Sequence, residues 1–400
     1  MSQPSVTRPV QARTIRNTEQ ILRSALDACA EEGWPALLTQ RVAARCGLAG
    51  PTVRGRFPER SLLAAALWKE KLADQTIGAV TEAVESLRNM HNGESLAPLT
   101  SVSRFTHPST AMGAAGELMI ASLVDSPLQH SIQEDLGEAL RTWLVPTRDQ
   151  LTPQDAARNC YVLSLVLGSL VCGRALPRET PSVTSEIERR WNALSSNNDY
   201  GELPTVRDDL WDEPIRFDTG DFAWDAVLRA TMEEVGRLGY DAATMIKIAE
   251  ASGFTQGAIF SRYASKRELF LDATRRMVEI NSLRNEAFHR ELIEKYGPGI
   301  AEAIMLRGFM KPSRRHLQII NLEQFRLAWH DAEMQSTLQV ALDLNVEQFE
   351  RQPSTVTDDA AAWVHCEYAI GIGIVLLAAL CPEASSLPLH VVTIPLLEGR

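Results

Sequence analysis

The chain has 400 residues, with 40 Lys/Arg against 51 Asp/Glu and a net charge of −11. That length suits two or three domains with separate cores. The acidic balance excludes a protein that coats nucleic acid over its whole surface, yet screening over ~8 Å leaves room for a local basic patch.

Residues 1–15 are polar and basic through Arg8 and Arg13. They read as a flexible arm, of the kind that reaches a DNA minor groove beside a helix-turn-helix. Ile21 to Glu32 is an amphipathic helix with the stripe Ile21, Leu22, Ala25, Leu26 and Cys29, closed by Gly33. Leu38 to Arg60 then reads as a short helix, a tight turn and a second short helix. Val42, Ala43 and Cys46 share one face, Gly47 ends the first helix, and Pro51 opens the second. Val53 and Phe57 face inward, while Thr52, Arg54 and Arg56 face out. That is the shape of a DNA reading head.

Ser61 to about Leu87 continues as one long helix. Residues 89–110 are loop-like. Ala111 to Asp125, Leu128 to Leu144 and Pro153 to Leu176 are further helices. Ser195 to Asp221 is acidic and rich in turn formers, a linker with Trp211 and Phe217 as docking points. Trp224 to Leu238 and Glu268 to Lys295 are helical, and Gly297-Pro298-Gly299 is a break. No alternating strand pattern is evident in the first half, which predicts an all-α protein.

The second half repeats the first. Adding 206 to Gly33, Ala43, Gly47, Arg56, Phe57 and Arg60 gives Gly239, Ala249, Gly253, Arg262, Tyr263 and Lys266. No gap is needed from Ile21 to Ala66, so the chain reads as a tandem duplication. Glu117 likewise falls on Glu323, and at 205 Gly168 falls on Gly373 and Pro177 on Pro382. Tyr161 to Cys172 and Ala369 to Leu380 are apolar nearly all round, so each must be covered on every face. The favoured cover is the matching helix of the other repeat, approached closely through Gly168, Gly371 and Gly373. A core helix buried within its own body is the other reading. At twelve residues, Ala369 to Leu380 is too short to cross a bilayer, which takes ~20. The N-terminus has no apolar region of a signal peptide. Six cysteines without a CxxC pair read as core residues in a reducing cytosol.

GLAGPTVRGRFPERSLLAAAL and GFTQGAIFSRYASKRELFLDA resemble the signature of TetR-type (TetR/AcrR) transcriptional regulators. The resemblance spans Arg16–Gln75 and Phe222–Asn281. It implies two tandem all-α units, each a three-helix head plus a helical ligand-binding and dimerisation body, paired as an intramolecular pseudo-dimer. The implied domains are an arm (1–15), head one (16–75), body one (76–196), a linker (197–221), head two (222–281) and body two (282–400). The implied partners are a double-stranded DNA operator and a small-molecule effector, in a cytoplasmic repressor that the effector releases. A further homodimer stays open. The sequence departs from the family at its usual reading-helix Tyr, which is Arg54 in one head and Phe260 in the other.

Carried onto this chain, the DNA-contacting positions are Thr39, Gln40, Gly50, Thr52, Arg54, Arg56 and Arg60 in head one. In head two they are Thr244, Thr255, Gln256, Gly257, Phe260, Arg262 and Lys266. Arg60 and Lys266 are expected on phosphate; Arg and Gln can also read guanine and adenine edges. Bulky apolar residues offer a candidate effector pocket, at Met112, Met119, Trp143, Met305, Phe309, Phe325 and Trp329, with Glu117 and Glu323 as polar members. Plain core is the stronger reading for each apolar one, and a salt-bridged or surface carboxylate for the two glutamates. No metal spacing, Gly-rich phosphate loop or nucleophile elbow is present, so neither an enzyme nor a cofactor is expected. Two rival readings stand: only the first head binds DNA, or the chain is a ligand-binding scaffold with a relic fold.

Overall fold

The computed structural model describes residues 7–91, 105, 108–147, 151–176, 186, 189–190, 194, 201, 203–204, 216–351, 357 and 359–398. Among these the chain is all-α, without a strand. Residues 1–6 of the expected arm, Trp211 and Pro177 lie outside them, as does most of the 197–221 linker. Phe217 of that linker is buried.

In the first half, α1 (Thr7–Glu32), a 3-10 turn (Trp34–Leu37), α2 (Thr39–Cys46) and α3 (Gly50–Arg54) form a head. Residues 7–15 of the expected arm are helical and form the start of α1; Pro9 sits in the first turn, where a missing N–H breaks no intrahelical bond. Gly47 takes a left-handed φ of 66°, which lets the Leu48 N–H donate to Ala43 O at 3.1 Å and stop α2. α4 (Arg60–Leu67), a π-helical turn (Trp68–Leu72) and α5 (Ala73–His91) run on as one rod. The body continues with α6 (Thr110–Ala121), a 3-10 turn (Ser122–Val124), α7 (Ser126–Ile132), a second π turn (Gln133–Gly137), α8 (Glu138–Leu144) and α9 (Pro153–Ala175). The Trp68 indole donates to Asp135 at 3.2 Å, so the two π turns are tied together.

The second half repeats the order. Its head is α10 (Phe222–Leu238), α11 (Met245–Ser252) and α12 (Gln256–Phe260), and its rod is the single 31-residue α13 (Lys266–Tyr296). α14 (Pro298–Phe309), α15 (Arg315–Ala328), α16 (Ala332–Glu350), α17 (Ala360–Leu380) and α18 (His390–Glu398) complete it. Gly253 repeats the stop of Gly47, with φ 77° and Phe254 N–H on Ala249 O at 3.0 Å.

α9 and α17 make the central contact of the molecule. A Cβ built at Gly168 would overlap the Ala369 carbonyl, and one built at Gly373 would overlap the Ser164 carbonyl. Only glycine allows backbones this close. Gly371, expected at this crossing, stands apart from it: its Cβ would make only an ordinary contact with Phe309. The helices carrying the apolar runs are longer than the runs themselves. At 23 and 21 residues both are long and apolar enough to cross a bilayer, yet most of each is covered by the rest of the protein. That mutual cover explains why both are apolar on more than one face.

Candidate nucleic-acid interface

Each head closes on a small core. Val42, Ala43, Cys46, Val53 and Phe57 are buried in the first, and Ile248, Ala249, Ile259 and Tyr263 in the second. With that face turned inward, α3 must show its opposite side to water. Gln40, Thr52, Arg54 and Arg56 are exposed, and Thr39 and Gly50 partly so. Neither Arg54 nor Arg56 has an ion pair among the described residues. Two guanidinium groups therefore stand free, Arg54 at the end of the first reading helix and Arg56 in the turn that follows, as phosphate or guanine contacts require.

The second head is arranged differently. Thr244 and Thr255 spend their hydroxyls on the helix starts, accepting from Lys247 N–H at 3.4 Å and Ala258 N–H at 3.2 Å. Arg262 lies over the Trp224 ring at 4.5 Å and 3.9 Å from Asp221. Phe260 projects outward at 47% exposure, an apolar ring on the reading helix. Gln256 is half-buried and Gly257 exposed.

Arg60 and Lys266 occupy matching places. Arg60 lies over the Trp34 ring at 4.2 Å, and Lys266 over Tyr240 at 4.0 Å. Lys266 also donates to Tyr240 O at 2.6 Å. Partial burial pulls both below their usual values. These cations brace the turn after the first helix of each head, and much of the donor capacity of Lys266 is already used.

The candidate pocket residues fall in two packed clusters. Met112, Met119 and Phe325 are buried in the main core, with Trp143 and Trp329 against it. Met305 belongs to a separate small cluster with Leu292, Ala301 and Ile304, and Phe309 borders both. Trp329 donates its indole N–H to Val171 O at 2.9 Å. Glu117 and Glu323 are buried in an ion-pair network. Arg326, itself 2% exposed, donates Nη1 to Glu117 at 2.9 Å, Nη2 to Glu323 at 2.6 Å and Nη2 to Asp241 at 3.1 Å. Glu117 also accepts the Trp34 N–H at 2.6 Å. Burial pushes Glu117 up, but Arg326, His330 and the Trp34 amide outweigh it and hold the carboxylate below its usual range.

A second polar cluster lies elsewhere in the bodies. Arg190 is buried and donates Nε to Glu186 at 2.7 Å, and Nη1 to the Tyr161 hydroxyl at 2.8 Å and to Glu367 at 2.6 Å. Burial, then the charge of Glu367, holds the Glu302 carboxyl well above its ordinary value. The salt-bridged reading of Glu117 and Glu323 agrees with the first network, whose arginine the sequence left unidentified; the second network was missed. For the first, a signal existed: Arg326 falls on Ile120 at the repeat offset, a charge facing an apolar twin beside the paired glutamates.

No group of three or more His, Cys, Asp or Glu suited to a metal ion occurs among the described residues. The head geometry is that of a helix-turn-helix module, and comparison with known proteins agrees. Residues 227–273 match the family model of bacterial regulatory proteins, tetR family. The match falls on the second head and supports a DNA-binding regulator of that type. No curated protein matches the chain.

Proposed function

We propose that the protein is a cytoplasmic, sequence-specific transcription regulator whose two heads sit on one chain as a covalent pseudo-dimer. It acts as a repressor that a small molecule bound in the bodies releases, and it performs no catalysis. Reciprocal contact between the halves carries the reading. In a two-fold dimer, if residue i touches residue j, then j touches i across the axis. Here Gly168 meets Ala369 and Gly373 meets Ser164. Adding 205 turns 168 into 373 and 164 into 369, so each contact is the image of the other. The heads obey the same rule: Gly33 abuts His330, and Gly239 abuts Val124, with 33 + 206 = 239 and 124 + 206 = 330.

The heads present different groups, so the preferred operator is asymmetric. Footprinting on a fragment recovered by genomic selection tests this. Two protected half-sites about one helical turn (~34–36 Å) apart are expected. One observation favours a second reading, in which only the first head grips DNA: Arg54 and Arg56 are free, whereas Arg262 and Lys266 are engaged within their own head. Protection of a single half-site would select that reading. Failure to recover any fragment would refute both.

A further inference from the structure

Each head rests on a glycine, and each glycine rests on a glutamate. A Cβ at Gly33 would come 2.5 Å from Glu117 Oε1 and 2.9 Å from His330 Nε2. A Cβ at Gly239 would come 2.9 Å from Val124 and 3.0 Å from Glu323 Oε1. Both glycines have positive φ, 77° and 76°. The two seats are therefore images of each other, built from one glutamate of the same repeat and one residue of the other.

The symmetry breaks at one position. Ile120 is buried and apolar; its counterpart Arg326 reaches across the axis. One guanidinium binds Glu117 beneath the first head, Glu323 beneath the second, and Asp241 inside the second head. Glu117 in turn accepts the Trp34 N–H of the first head. A planar guanidinium with five fixed donors cannot shift toward one carboxylate without loosening its hold on another. The shared arginine is also buried, so water does not screen the exchange.

We infer that Arg326 is a positioning residue that couples the two heads, through a single side chain that holds the seat of each. A displacement at one seat is transmitted to the other without any change in the α9–α17 crossing. As regulation of DNA binding the inference rests on the function proposed above. The coupling itself does not need DNA, and it is tested without DNA.

The test is amide hydrogen exchange on the full chain, comparing wild type with Glu117→Gln and Arg326→Met. Glu117→Gln keeps an acceptor for the Trp34 N–H and removes one charge from the guanidinium, so the fold is retained. Exchange at the Gly239 and Ala243 amides, in the opposite head, is expected to change on the order of fivefold or more. A change confined to the first head overturns the inference. Arg326→Met is expected to speed exchange at the Trp34 and Ala243 amides together, while amides around Gly168 and Gly373 keep their protection. If protection falls equally at the crossing, Arg326 only holds the fold together, and the inference fails. A failure of footprinting with these exchange patterns intact would remove the DNA reading and leave the coupling.

Discussion

Arg54 and Arg56 differ from Arg262 and Lys266 less in chemistry than in what already holds them. A guanidinium stacked on Trp224 or an ammonium bonded to Tyr240 O must give up that contact before it can neutralise a phosphate. A guanidinium in water on the outer face of α3 gives up nothing comparable. Substituting Arg54 by alanine should therefore weaken operator binding and reduce the salt slope by about 0.9 if one phosphate contact is lost. Arg262→Ala should leave the slope nearly unchanged while costing about 0.5–1 kcal/mol of stability through the lost ring contact. Fluorescence anisotropy over a salt series, with thermal unfolding of each variant, separates the two. Equal slopes for wild type and Arg54→Ala would remove Arg54 from the interface.

Glu302 makes a separate residue-scale prediction. Its side chain is 15% exposed and sits where burial and Glu367 favour the protonated form. Its folded pKa lies above the unfolded value of about 4.3. The stabilisation it gives is complete below that unfolded value and is lost as pH rises through the folded one. Relative to Glu302→Gln, wild type should therefore lose stability on going from acid toward neutral pH. The loss amounts to about 1.4 kcal/mol for each unit separating the two pKa values. Denaturant titrations of both proteins at several pH values check the sign; parallel curves would show that Glu302 titrates normally.

At the scale of elements, the two heads differ in how their helices begin. In the second, Thr244, Thr255 and Ser265 cap α11, α12 and α13. In the first, the matching cap positions hold Leu38, Ala49 and Glu59, and none makes a side-chain cap. Leu38 and Ala49 keep the extended backbone of a cap, with ψ of 127° and 136°. The first head thus has the extended cap geometry without its chemistry, and the family match falls on the second head. Leu38→Thr and Ala49→Thr should each stabilise the first head by about 0.5–2 kcal/mol, because a free helix N–H gains an acceptor. Leu38 is 48% exposed, so little apolar burial is lost. Chemical denaturation of the two variants measures the gain, and no gain would mean that water already satisfies those amides.

The same comparison shows what the sequence could reveal. Helix periodicity, Gly47 and Gly253 made both heads legible, because those features act over a few residues. Gly168 and Gly373 pointed to the close approach of two apolar helices, because only glycine leaves room for a facing carbonyl. The π turns at Trp68–Leu72 and Gln133–Gly137 were not legible; they join through Trp68 and Asp135, which are far apart in the chain. The fate of Glu117 was hidden for the same reason: its partner Arg326 lies 209 residues away. Pattern reading finds what is local or repeated, and it misses a contact present in only one of the two halves.

For the whole molecule, the proposed covalent pseudo-dimer predicts its own concentration dependence of DNA binding. A regulator made of two chains loses operator affinity on dilution below its dimer dissociation constant, because the competent species disappears. When both halves share one chain, the second head is held near the first at an effective concentration that dilution cannot lower. The buried crossing of α9 and α17 belongs to that internal pairing, so it is not available for a second copy of the chain. Operator binding should therefore follow a simple one-site curve that keeps its midpoint as labelled DNA and protein are lowered together into the picomolar range. The complex should contain one chain per operator, read by light scattering or native mass spectrometry. A midpoint that drifts upward on dilution, or a complex with two chains on one operator, would show that the internal pairing does not by itself complete the DNA-binding unit.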